Sequence, residues 1–288
     1  MPSFVEQAEP GSVFSLLADE KRVGILRALW QTEDPLSFSE LHSAVDIEDS
    51  GQFNYHLDKL AGQFVQKTEE GYSLTEPGRQ INGAIDGGTY TAAGSMEPIQ
   101  LDPPCPTCGG QRTLTYEDER LRVECDSCDV VAAFGVPPAV FAGRAREEIP
   151  AVAGRYLRAG LARLDNGFCP YCGGHIECRV GLPSPPPGES LSGVDESFPI
   201  VRYDCQQCIT EPTSGLTLAL FSHPAVVAFY HDHGIDIRER SVWEFPVFGG
   251  ESERIESEEP FRASTTFTVD GDELTLTVDE HLSVVACE

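Results

Sequence analysis

The chain has 288 residues, 40% of them hydrophobic, and carries 47 acidic against 20 basic side chains, a formal net charge of −27. That length holds two or three domains with real cores. No run of about 18 apolar residues occurs, so no membrane-spanning helix is expected, and the acidic start from Met1 to Gly11 lacks a basic-then-apolar export signal.

A cytoplasmic protein is therefore expected. Acid is spread along the whole chain, and Lys21, Lys59 and Lys67 are its only lysines. A diffuse acidic surface poor in lysine points to a halophile with molar salt inside the cell.

Residues 11–87 read as a first unit. Val13, Phe14, Leu16 and Leu17 open one amphipathic helix. Val23, Ile25, Leu26, Leu29 and Trp30 recur at helical spacing in the next, which Asp19 can cap. Ser37 can cap a short helix through Leu41 and Val45. Asp49 or Ser50 can cap another that buries Phe53, Leu57 and Leu60. Phe64 to Lys67 and Gly71 to Leu74 read as two strands joined at Glu69-Glu70-Gly71. A helix from Thr75 to Ile85, with Pro77 near its start, closes the unit.

This order is that of a winged helix-turn-helix. Three segments also resemble a known family, the ArsR-type regulators. Ala18-Asp-Glu-Lys-Arg-Val-Gly-Ile-Leu-Arg-Ala-Leu resembles their second helix, Ser50-Gly-Gln-Phe-Asn-Tyr-His-Leu-Asp-Lys-Leu their recognition helix, and Gly71-Tyr-Ser-Leu-Thr-Glu-Pro-Gly the exit of their wing. The whole layout, with cysteine ribbons behind, is similar to haloarchaeal regulators of this type. The resemblance implies a homodimer on double-stranded DNA, with the recognition helix in the major groove and the wing against the backbone.

Ser50, Gln52, Asn54 and Tyr55 then become the groove-facing candidates, since Gln and Asn can pair with adenine and Tyr can reach phosphate or a thymine methyl. Lys59 and Lys67 are candidate phosphate contacts, with solvated surface charges as the alternative. His56 is either a packed core residue or part of that helix's working face. Residues 1–95 carry 6 basic and 15 acidic residues, a net of −9 and the opposite sign to most DNA readers. Molar salt removes most of the counterion-release drive in any case, so recognition would rest on shape, hydrogen bonds and apolar contacts. No cysteine precedes Cys105, so the family's metal sensing is not carried over.

Residues 88–100, rich in Gly, Thr, Ala and Pro, read as a linker. From 101 to 288 the dominant signal is eight cysteines in four Cys-x-x-Cys knuckles: Cys105/Cys108, Cys125/Cys128, Cys169/Cys172 and Cys205/Cys208. A tetrahedral zinc ion takes four thiolates, and two knuckles supply them. Paired in sequence order, they predict two structural zinc ions in ribbons spanning about 101–135 and 166–211, with disulfides or a redox pair as the alternative. Pro183 to Gly188 would be an inserted loop, tolerated between knuckles.

Thr113–Tyr116 and Leu121–Glu124 look like a hairpin, and Pro138 to Leu164 like a helical stretch broken near Pro150. A helix from Pro224 to His233 and strands at Trp243–Val247, Phe261–Val269 and Glu273–Val278 should complete a β-rich end, with a turn at Asp270-Gly271. Cys178 reads as a small buried residue and Cys287 as a strand residue or a free thiol. His223, His231 and His233 are badly spaced for a metal.

The expected class is thus α+β: a winged helix-turn-helix, two four-cysteine ribbons with an intervening helical stretch, and a C-terminal β segment. No Gly-x-Ser-x-Gly, phosphate loop or His-Glu-x-x-His occurs, so no enzyme is expected. The expected function is sequence-specific DNA binding that regulates transcription through promoter occupancy. The alternative is an adaptor of the transcription machinery whose first unit binds protein.

Overall fold

A computed structural model describes residues 8–102, 104–128, 131–182, 198–248 and 252–288. They are a mixture of helix and sheet divided into two compact units, Met1–Ala92 and Ala93–Glu288. Among the described residues, no helix is long and apolar enough to cross a membrane.

The first unit holds α1 (Pro10–Phe14), a 3-10 turn at Ser15–Leu17, α2 (Glu20–Trp30), α3 (Phe38–Ser43) and α4 (Ser50–Leu60). A hairpin of β1 (Val65–Lys67) and β2 (Tyr72–Leu74) follows, then α5 (Glu76–Asp86). Polar caps start the helices by accepting otherwise unpaired backbone N–H groups. Asp19 accepts from Lys21 and Arg22, Ser37 forms a reciprocal box with Glu40, Asp49 accepts from Gln52, and Thr75 accepts from Gly78.

The apolar face of α4, with Phe53, Leu57 and Leu60, packs into one core with Ile25, Leu26 and Leu41. The Trp30 indole N–H donates to Asp86 at 2.6 Å and ties α2 to α5. Leu36 and Tyr72 exchange backbone hydrogen bonds at 3.0 and 2.8 Å, which anchors the hairpin to the chain ahead of α3.

The second unit contains three antiparallel sheets. The first is β3 (Met96–Leu101), β4 (Arg112–Glu117), β5 (Arg120–Cys125) and β6 (Val131–Gly135). The second is β7 (Ile176–Gly181), β8 (Ile200–Cys205) and β9 (Thr213–Gly215), and the third is β10 (Glu253–Glu258), β11 (Phe261–Val269), β12 (Asp272–Val278) and β13 (Val284–Cys287). Helix α6 (Ile149–Asp165) lies in sequence between the first two sheets, with α7 (Leu216–Leu220) and α8 (Pro224–Asp232) before the third. One continuous hydrophobic cluster, running from Ile99 to Val278, joins all three sheets.

Several expectations need correction. Residues 88–100 are not a plain linker: Met96–Leu101 forms a strand on β4 because Ile99 and Leu101 alternate into the core. Pro150 does not break a helix; it sits in the first turn of α6, where its missing N–H costs nothing. Trp243–Val247 is not a strand. Ser241 and Glu244 form a capping box that winds Val242–Glu244 into a 3-10 turn, and the Trp243 N–H donates to the Pro150 carbonyl at 2.8 Å. The helix at Pro224, strands β11 and β12, and the Asp270-Gly271 turn, both residues at positive φ, are as expected. The inserted loop at Pro183 to Gly188 lies outside the described residues.

Candidate functional site

Each knuckle with a Cys-Pro-x-Cys-Gly-Gly motif folds the same way. In the first, the Cys105 N–H donates to Gly110 O, the Gly109 N–H to Cys105 O, and the Gly110 N–H to Cys108 Sγ at 3.4 Å. In the second, Cys169, Gly173, Gly174 and Cys172 repeat these bonds. The first glycine of each pair takes a left-handed φ, +78° at Gly109 and +71° at Gly173. The second glycine leaves no room for a side chain: a Cβ on Gly110 would meet Ser127 at 2.7 Å, and one on Gly174 would meet Gln207 at 2.8 Å. Both obstructing residues belong to the opposing knuckle, so the motif sets how closely the knuckles approach.

The sequence-order pairing holds. Cys105, Cys108, Cys125 and Cys128 form one quartet and Cys169, Cys172, Cys205 and Cys208 the other, with all ligand atoms of each within 4.8 Å of one another. All ten cysteines of the chain are free thiols. Individual sulfur pairs lie at 3.9 and 3.5 Å in the first quartet and at 3.7 and 3.5 Å in the second. A tetrahedron with metal–sulfur bonds of about 2.3 Å has sulfurs roughly 3.8 Å apart, so both quartets are positioned to bind a metal ion and are compatible with zinc.

The electrostatics agree. Burial pushes the Cys105 thiol up, but hydrogen bonds from the Cys108 and Thr107 backbone and from neighbouring thiols outweigh it and bring it down to about 7. The same balance brings Cys169 down to about 6. Neighbouring thiols and burial instead push Cys172 up to about 12, against the Gly174 N–H that favours its thiolate. Four adjacent sulfurs therefore resist full ionisation unaided, and a dication relieves that repulsion.

The two quartets differ in one neighbour. On β4, Arg112 pairs with Cys125; on β7, Ile176 pairs with Cys205. Arg112 is 1% exposed, and its charge feels all four cysteines of the first quartet, although burial lowers its pKa overall. The second quartet has a hydroxyl instead, with Thr210 Oγ1 2.6 Å from Cys208 Sγ. Sequence reading missed Arg112, though the alternation Arg112, Leu114, Tyr116 places it in phase with buried residues.

Cys178 is half-buried on β7, where burial pushes its thiol up to about 11. Cys287 is an exposed thiol on β13. His223 caps α8 and His233 meets Asp272 at 3.0 Å; among the described residues neither joins a metal cluster.

On α4, Ser50, Gln52, Asn54, Tyr55 and Lys59 are all exposed, and Lys67 is exposed on β1. Gln52 Oε1 accepts from Lys21 Nζ at 2.6 Å, and Asn54 Nδ2 donates to Asp58 at 2.9 Å. Lys59 Nζ lies 5.6 Å from the Tyr55 ring centroid, and Lys67 Nζ 5.4 Å from that of Tyr72. His56 is a core residue, buried with Nδ1 3.7 Å from Asp19 Oδ1. Lys21 is the residue that sequence reading left out of this face; the scarcity of lysine was the available signal.

Fold and sites thus define a two-unit chain with a helix-and-hairpin front and a second unit built around two tetracysteine quartets. Residues 102–284 match the family described as Domain of unknown function (DUF7351), and the chain belongs to that family. Residues 10–85 match Domain of unknown function (DUF7347). No match was found to a curated protein or to a solved structure.

Proposed function

We propose that this protein is a transcriptional regulator that reads double-stranded DNA as a homodimer, in the cytoplasm of a halophilic archaeon. In this reading the first unit is an ArsR-like winged helix-turn-helix. Helix α4 enters the major groove through Ser50, Gln52, Asn54 and Tyr55, and Lys59 and Lys67 meet phosphates. Each quartet holds one structural zinc ion. A closed four-cysteine shell leaves no open position, so the zinc stabilises the second unit and catalyses nothing.

The observation that carries the reading is where the lysines sit. A chain of net charge −27 has three, and all lie in the first unit: Lys21 bonded to Gln52, Lys59 over Tyr55, and Lys67 on the hairpin. Two are thus attached to the exposed side of α4 and one to the strand pair that would be the wing.

The second reading is an adaptor of the transcription machinery whose first unit binds protein. The net charge of −9 over residues 1–95, with Asp49 and Asp58 on the exposed side of α4, favours it. Selection of genomic fragments by the purified chain in about 2 M KCl, which suppresses non-specific phosphate binding, separates the two. Enrichment of a near-palindromic site that is lost in Gln52→Ala/Tyr55→Ala supports the DNA reader. No enrichment with folded, zinc-loaded protein sinks it and leaves the adaptor.

A further inference from the structure

The second unit has a cavity of about 580 Å³ that neither the zinc nor the DNA reading uses. Small-molecule sites commonly span roughly 300–1,000 Å³. The cavity forms where β11 outruns its neighbour. Strand β10 starts at Glu253, opposite Thr265, so among the described strands Thr266 to Val269 pair with β12 alone. Tyr230 and Thr217 reach the resulting notch from the core side, and Pro106 and Thr107 of the first knuckle form another wall.

The polar groups there are of a particular kind. Tyr230 is 2% exposed, with its ring enclosed by Phe221, Phe245 and Phe267. Its hydroxyl, the end left toward the cavity, makes no hydrogen bond within the described residues, and burial alone pushes it up to about 12. Arg254 is exposed in the wall and has no ion pair there. Facing them are hydroxyls that hold one another in place: Thr266 and Thr275 at 2.9 Å, and Ser264 donating to Glu256 at 2.5 Å. Apolar surface from Val247 and Phe267 lies between.

We infer that this cavity binds a neutral polyhydroxylated small molecule of the monosaccharide or cyclic polyol class. One arginine against Glu256 and Glu273 gives the wall a net charge of −1, which repels phosphates and carboxylates, while Arg254 repels simple cations. A ligand hydroxyl both donates and accepts, so it satisfies Tyr230 and Arg254 on one side and the carboxylates on the other without burying a charge. Ligand C–H groups meet the apolar strip. Because the residues between Cys105 and Cys108 form a wall, occupancy would bear on the first metal knuckle. The inference rests on the second unit alone and is independent of DNA binding.

The test is saturation-transfer NMR on the full metal-loaded chain with glucose, mannose and myo-inositol, and with glutamate as the zwitterionic control. Transfer to at least one neutral probe is expected, weakened about tenfold in Tyr230→Phe and in Arg254→Ala, as for the loss of one hydrogen bond to a buried or charged group. The first variant keeps the ring and the second alters an exposed side chain, and an unchanged melting temperature shows that each is folded. The inference is overturned by absence of transfer to all three neutral probes, by transfer that both variants leave undiminished, or by transfer confined to glutamate.

Discussion

Replacing Arg112 by methionine should loosen one zinc ion and leave the other alone. With zinc bound, a four-thiolate centre carries a charge of −2, and Arg112 is the buried cation beside the first such centre. At an effective dielectric of about 20, a unit charge ~6 Å from a charge of −2 gains roughly 5 kcal/mol. Desolvating the guanidinium takes back several kcal/mol, which leaves on the order of 1–3 kcal/mol, or about 10–100-fold in metal affinity. The second quartet, with Ile176 at the matching register position, serves as an internal control.

The assay is competition with a coloured zinc chelator, followed by alkylation and mass spectrometry of the cysteines released. Arg112→Met should give up one zinc per chain at about 10–100-fold lower chelator strength, exposing Cys105, Cys108, Cys125 and Cys128. Equal retention in wild type and variant would refute the electrostatic argument, as would release from Cys169, Cys172, Cys205 and Cys208.

Three further outcomes are expected. Cys105→Ser should lower zinc content from two ions to one per chain, while circular dichroism of residues 8–92 expressed alone matches the part of the spectrum that persists in the full-length variant. Glu253 is 6% exposed, accepts the Thr217 N–H through Oε1 and has no partner for Oε2; burial, opposed by the Thr217 hydrogen bonds, raises its pKa. The folded state thus holds that proton more tightly than the unfolded chain, so the carboxylate destabilises near neutrality and the penalty fades as pH falls from the folded pKa toward 4.5. Glu253→Gln should be more stable at pH 7 by on the order of 1 kcal/mol and lose that advantage in acid, as read by urea unfolding. Gly71 has a φ of +142°, and a Cβ there would meet the Leu36 carbonyl oxygen at 2.5 Å, so Gly71→Ala should destabilise the first unit by about 1–3 kcal/mol in the same experiment.

The sequence displayed what local chemistry specifies. Asp19, Ser37, Asp49 and Thr75 mark helix starts because a cap needs only its own first turn. The cysteine knuckles are equally local, each closed within six residues from Cys105 to Gly110 or from Cys169 to Gly174. Structure set by distant partners was hidden. Strand β9 is three residues long and becomes a strand only against β8. Met96–Leu101 looked like a linker because its apolar residues find their core only after β4 has folded back. Arg112 read as a surface arginine, since its burial depends on a register that brings it opposite Cys125. The cavity was invisible for the same reason, with walls drawn from Pro106 to Thr275.

The chain's two tryptophans fall one to each unit. Trp30 is 38% exposed with its indole N–H on the Asp86 carboxylate, so water can relax around its excited state and shift its emission to the red. Trp243 is 2% exposed, stacked on Phe248 with centroids 5.1 Å apart, and shielded from that relaxation. The unlabelled protein therefore carries two intrinsic dyes of different colour. Blue emission follows the cysteine-bearing unit and red emission the helix-and-hairpin unit, and Trp30→Phe or Trp243→Phe isolates either signal, so melting of each unit, zinc loss and ligand entry can be assigned in a single cuvette.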